Sequence, residues 1–175
     1  LNRGAINVSY GLMALPFALF AFPLPGPELW PILAGVWAIH LVYEWFQASA
    51  FEKGDFTLVY PIARGTGPLL IAIAAVFVFD ERMDWPQWVG LGVLSGSIMG
   101  LALANMRARR IDIAALPGLR AAIGMALMTG VMIAVYTLWD AYGIRLAENP
   151  FTFLAWFFVL GGVGFPWISA WRWRG

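Results

Sequence analysis

The sequence predicts an all-α fold, a polytopic membrane helix bundle, and three observations carry that prediction. Hydrophobic residues make up 61% of the chain, charged residues only 12%, and the mean hydropathy is +0.75. Soluble domains average about 45–50% apolar and about 25% charged residues. The apolar residues gather into six stretches, each near the roughly 20 residues needed to cross about 30 Å of hydrocarbon. Long runs of alternating apolar and polar residues are absent from the sequence, which argues against a membrane barrel.

The six predicted spans are 5–24, 30–51, 56–79, 85–104, 120–143 and 150–171. The first ends at Pro23-Leu24-Pro25-Gly26-Pro27, a run that cannot continue a helix. Between the third and fourth lies the acidic turn Asp80-Glu81-Arg82-Met83-Asp84, and Asp84 with Gln87 reads as a capping box opening the fourth. Asn149-Pro150 opens the sixth, with proline in the first helical turn. Short connections make successive spans antiparallel neighbours. The chain does not begin with methionine and stops behind an apolar span, so both ends read as cut.

Charge sets the expected orientation. Arg3, Lys53, Arg107, Arg109, Arg110, Arg120, Arg172 and Arg174 fall on one side, Arg82 and Arg145 on the other, and Arg64 lies within a span. The positive-inside rule then puts the first group, and both ends of the chain, in the cytoplasm of a cell whose inner membrane holds the protein. The net charge of +1 says nothing about nucleic acid, but no basic patch with interleaved aromatics stands outside the short loops, so no nucleic-acid partner is expected; the lack of cysteine excludes disulfides and thiolate metal sites. No cofactor is implied. The lone pair His40 and Glu44 lacks the further ligands of a metal site.

The stretch 54–104 organises the rest. Inside its first span stands Tyr60-Pro61-Ile62-Ala63-Arg64-Gly65-Thr66-Gly67-Pro68. Two prolines remove backbone donors and two glycines loosen the helix around an arginine. Irregular backbone at membrane depth is tolerated when buried in protein or lining a cavity, so the segment is expected to wall a polar cavity.

The run GDFTLVYPIARGTGPLL, the Glu81-Arg82 turn and Trp88-Val89-Gly90 opening a glycine-rich span resemble the second part of an EamA-type repeat of the drug/metabolite transporter superfamily. The resemblance implies a fold of ten helices in two inverted five-helix halves, of which this chain matches helices two to seven. Residues 1–106 would be helices two to five of the first repeat, 107–119 a cytoplasmic linker, and 120–175 the first two helices of the second. The resemblance also implies that the span around Tyr136 and Asp140 borders a central cavity.

Three helix faces carry the candidate binding residues. Trp37, His40, Glu44 and Gln47 are spaced by three, four and three, one face of span two. Either they line a transport cavity, or His40 and Glu44 pin helix register through hydrogen bonds. Tyr60 and Arg64 share a face of span three. Arg64 either clamps an anionic ligand or forms an ion pair with Glu44 or Asp140, unless it snorkels to an interface. Tyr136 and Asp140 share a face of span five, where Asp140 is either a cavity residue or an exposed helix-end carboxylate.

Gly92, Gly96 and Gly100 form a small-residue ridge on span four, for packing within the chain or for a homodimer. These readings together point to a secondary transporter, an exporter, that moves a small organic solute across the lipid bilayer by alternating access. Proton coupling through Glu44 or Asp140 stays open. The rivals are a membrane-embedded enzyme acting on a lipid-linked substrate and a non-transporting assembly subunit; against an enzyme, the sequence offers no nucleophile–base set.

Overall fold

The computed structural model describes the backbone of residues 2–108 and 117–173, and the side chains of residues 6–108 and 118–162. The described residues are helical throughout, joined by short turns. Six helices follow in order: α1 (Asn2–Pro16), α2 (Leu29–Lys53), α3 (Phe56–Phe79), α4 (Trp85–Ala108), α5 (Pro117–Leu146) and α6 (Pro150–Trp173). Four stretches among the described residues, Leu29–Lys53, Phe56–Phe79, Trp85–Ala108 and Gly118–Leu146, are long and apolar enough to cross a membrane. The protein is a helical membrane protein. For the other two expected spans, the residues with described side chains cover only the shorter apolar stretches Ile6–Ala21 and Pro150–Gly162. Of the expected linker 107–119, residues 109–116 lie outside the described residues, as do the side chains of Arg3, Arg172 and Arg174.

Capping residues set the helix ends. Asp55 caps α3, its carboxylate accepting from the Thr57 amide at 2.9 Å. The Asp84 amide donates to Gln87 Oε1 at 2.8 Å, the reaching-back half of the predicted capping box. Asn149 Oδ1 accepts from the Phe151 amide at 2.9 Å to open α6. Asp80 ends α3 in the left-handed region, at φ 51°. After Pro16, α1 widens into a π turn over Phe17–Ala21, closed by the Phe22 amide on the Phe17 carbonyl at 3.2 Å.

Packing divides the chain into two units: residues 1–41 with 139–175, and residues 42–138. In the first unit, α1 packs on α6, and Leu29, Ile32, Leu33, Val36 and Phe153 form the core. The two backbones meet at Gly11 and Gly162, where a Cβ on Gly11 would stand 2.9 Å from Gly162 Cα. In the second unit, Leu58, Val59, Ile62 and Ala63 of α3 pack with Ala102 of α4, Ala50, and Ala122 and Ala126 of α5.

One expectation is corrected by α3. The helix runs unbroken through Pro61 and Pro68, with Pro61, Ile62, Ala63, Gly65 and Gly67 buried. Pro61 leaves the Thr57 carbonyl without its usual donor, and Asn105 of α4 supplies one at 3.1 Å. The glycines serve close approach, not loosening. A Cβ at Gly65 would lie 3.4 Å from the Ser95 carbonyl, and one at Gly67 2.9 Å from Ile133. The ridge on α4 shows the opposite. Nothing stands within 4 Å of where side chains at Gly92, Gly96 and Gly100 would begin. The ridge is no packing seam inside the described chain.

Candidate functional site

In the first unit, α2 and α5 bring two candidates together. His40 Nε2 lies 3.0 Å from Asp140 Oδ2, a pair separated by 100 residues in sequence. Both side chains are largely buried, at 26% and 18% exposure. The imidazole meets the Phe157 ring edge-on, centroids 5.2 Å apart. Asp140 Oδ1 is buried and has no hydrogen-bond partner among the described residues. Asp140 is therefore not an exposed helix-end carboxylate. Beside it in sequence, Trp139 Nε1 donates to the Ile32 carbonyl at 3.0 Å, so two consecutive residues of α5 tie it to α2. Trp37, one turn before His40, is half-exposed and lines a cleft of about 310 Å³ with Trp30, Ala34 and Leu160.

The second unit holds the other candidates in two groups. Gln47 is buried and donates from Nε2 to the Tyr43 hydroxyl at 2.9 Å, while the Tyr43 ring meets Tyr136 edge-on at 4.9 Å. Glu44 is half-buried on the same stretch of α2. The second group is a column on α3. Phe51 packs against Phe56, Phe56 stacks on Tyr60 at 5.0 Å, and the Arg64 guanidinium stands 5.6 Å from the Tyr60 ring centroid. A helical side chain leans toward the N-terminus of its helix, which puts Arg64 over the residue one turn earlier. Tyr60 and Arg64 are exposed, and Arg64 has no ion pair among the described residues. The expected partners differ: Asp140 is taken up with His40.

Sequence periodicity identified faces but missed three contributors, Tyr43, Asn105 and Trp139. Asn105 alone had a readable signal, because a proline inside a span frees a carbonyl that some donor must meet. Among the described residues no group of three or more His, Cys, Asp or Glu side chains converges to hold a metal ion. In comparisons with known proteins, no family model matches the chain, and no curated protein or solved structure matches it either.

Proposed function

We propose that the protein is a secondary transporter of small organic solutes carrying an anionic group, an exporter of the EamA type in the inner membrane. One observation carries the reading: a guanidinium, stacked on an aromatic column and without a carboxylate partner among the described residues, sits inside an apolar span. Arg64 is the ninth residue of α3, about 12 Å along it from the first. A charge at that depth is expensive unless it serves a ligand or a polar path. Arginine offers a planar fork for carboxylate or phosphate, and Tyr60 beside it offers a face for a ring. The runs carrying Arg64 and Tyr136 are those that resemble EamA-type repeats, and two inverted halves rocking about a midplane site would give alternating access. Glu44, Gln47 and Tyr136, in the same unit as Arg64, are the further residues assigned to solute contact.

The test is counterflow in reconstituted vesicles with a panel of labelled aromatic carboxylates and organic phosphates. Native protein should exchange at least one of them. Arg64→Lys, which keeps the charge and loses the fork, should weaken its binding, and Arg64→Gln should abolish exchange while folded yield holds. Exchange of no panel member above protein-free vesicles, or unchanged exchange in Arg64→Gln, would reject the reading. Self-association is a second reading, favoured by the contact-free faces of Gly92, Gly96 and Gly100.

A further inference from the structure

We propose that the first unit binds a divalent metal cation, Ca²⁺ in preference to Mg²⁺, where the loop before α2 meets the α5–α6 turn, through Glu28, Glu148 and Thr152. The site lies outside the transport reading and does not depend on it.

Residues from 23–29 and 146–152 wall a pocket of about 240 Å³, room for an ion with part of its water shell. Glu28 and Glu148 both line it, and neither has an ion pair among the described residues. The Glu28 carboxylate folds back on its own loop: a Cβ on Gly26 would stand 3.2 Å from Glu28 Oε1. That loop is rich in acceptors. Pro23, Pro25 and Pro27 each bring a carbonyl and no N–H, and the Leu29 amide is given to the Gly26 carbonyl at 3.0 Å. The other wall begins at Leu146, the last residue of α5, and a helix C-terminus carries unpaired carbonyls and partial negative charge. The N-terminus of α6 has the opposite sign, but its leading amides are covered. Phe151 donates to Asn149 Oδ1 at 2.9 Å, and Thr152 to the Asn149 carbonyl at 3.0 Å.

Two acidic residues on neighbouring turns would not by themselves mark a site; Thr152 does. It lines the same pocket and is only 3% exposed, and its Oγ1 is buried without a hydrogen-bond partner among the described residues. A hydroxyl buried in that way is costly, and an ion or one of its waters at Oγ1 removes the cost. Every group offered is an oxygen, and two carry charge, which suits a hard divalent cation. Ca²⁺ accepts about six to eight oxygens in irregular arrangements, whereas Mg²⁺ demands a near-ideal octahedron. Two exposed, adaptable carboxylates beside one fixed hydroxyl fit the first requirement. The bound ion ties the loop before α2 to the start of α6.

Equilibrium dialysis of radioactive Ca²⁺ against the purified chain in lipid nanodiscs tests the site, at about 0.15 M KCl so that loose surface attraction is screened. Ca²⁺ should bind saturably, with Kd on the order of 10⁻⁴ to 10⁻³ M, and Mg²⁺ should compete more weakly. Glu28→Gln and Glu148→Gln alter exposed side chains, and each should weaken binding by about tenfold or more through loss of a charged ligand. Thr152→Val removes the unpartnered hydroxyl, so without metal it should keep or raise the melting temperature while weakening Ca²⁺ binding several-fold. Asp80→Asn, in the acidic turn of the second unit, should change nothing. No saturable binding, or native affinity in either glutamine variant or in Thr152→Val, would overturn the site. Loss of binding in Asp80→Asn would place the ion elsewhere and overturn it equally. Equal competition by Mg²⁺ would overturn the preference, and displacement of Ca²⁺ by tetramethylammonium would make this an organic-cation pocket instead. Dialysis involves no transport, so failure of this site and failure of the counterflow assay are separately visible.

Discussion

Asn105 Nδ2 donates to the Thr57 carbonyl at 3.1 Å, across from α4 to α3. That carbonyl is the one Pro61, four residues on, cannot serve. The contact explains how a proline persists inside an apolar helix without bending it into loop. The donor removed by the imide is replaced by a side chain from a neighbouring helix, so the irregularity is chemical and not conformational. Across Pro61 the helix stays regular enough to set Phe56, Tyr60 and Arg64 in one column.

A double-mutant cycle tests that compensation. Asn105→Leu leaves the Thr57 carbonyl without a donor and should cost about 1–3 kcal/mol. In the Pro61→Ala background, the residue 61 amide takes over the carbonyl, and the same Asn105→Leu change should cost well under half as much. Unfolding in mixed micelles measures both. Equal costs in the two backgrounds would mean that Asn105 acts through something other than Thr57.

Two glycines on facing accounts of packing should behave oppositely. A Cβ at Gly130 of α5 would stand 2.8 Å from Thr66 Cβ and 3.2 Å from the Ala63 carbonyl. Gly130→Ala should therefore push α5 off α3, at about 1–3 kcal/mol. Gly96 meets nothing within 4 Å. Gly96→Ala should leave the monomer unharmed or gain up to about 1 kcal/mol of helix propensity. If copies associate through the ridge, Gly96→Leu should show it as lost dimer in crosslinking, with folded yield kept. Loss of monomer stability in Gly96→Ala would contradict the open face.

Trp139 gives a smaller effect. Its Nε1 donates to the Ile32 carbonyl, and its ring lies where a Cβ on Gly35 would be, 2.7 Å away. Trp139→Phe should lose about 1 kcal/mol with the hydrogen bond. Gly35→Ala should lose more, because the ring must leave. A Gly35→Ala variant as stable as native would show that the indole is not seated there.

How much of this was legible depends on the range of the interaction. Apolar length predicted all six helices, and local side chains at Asp84, Gln87 and Asn149 predicted two of their starts. Each signal lies within a few residues of what it specifies. Pro61 misled because its local rule was overridden by Asn105, 48 residues from the carbonyl that it serves. Periodicity placed His40 and Asp140 on helix faces but could not name them as each other's partner. A face is a local property, and a pairing across 100 residues depends on how helices pack. The ridge of Gly92, Gly96 and Gly100 reads the same whether its neighbour is in the chain or in a second copy. Only the fold shows it bare within the described residues.

The charge pattern makes the last prediction. Lys53 and Glu81 are exposed and flank α3, whose 24 residues span about 36 Å against about 30 Å of hydrocarbon. Lysines and arginines crowd the side that holds Lys53, which the positive-inside rule assigns to the cytoplasm. The sequence has no cysteine, so single cysteines report without background. Lys53→Cys should react with an impermeant maleimide only after the membrane is opened, and Glu81→Cys should react in intact cells. The inverse pattern would reverse the orientation and leave α3 as a span. Labelling of both from one side would mean that α3 does not cross, and the depth assigned to Arg64 would fall with it.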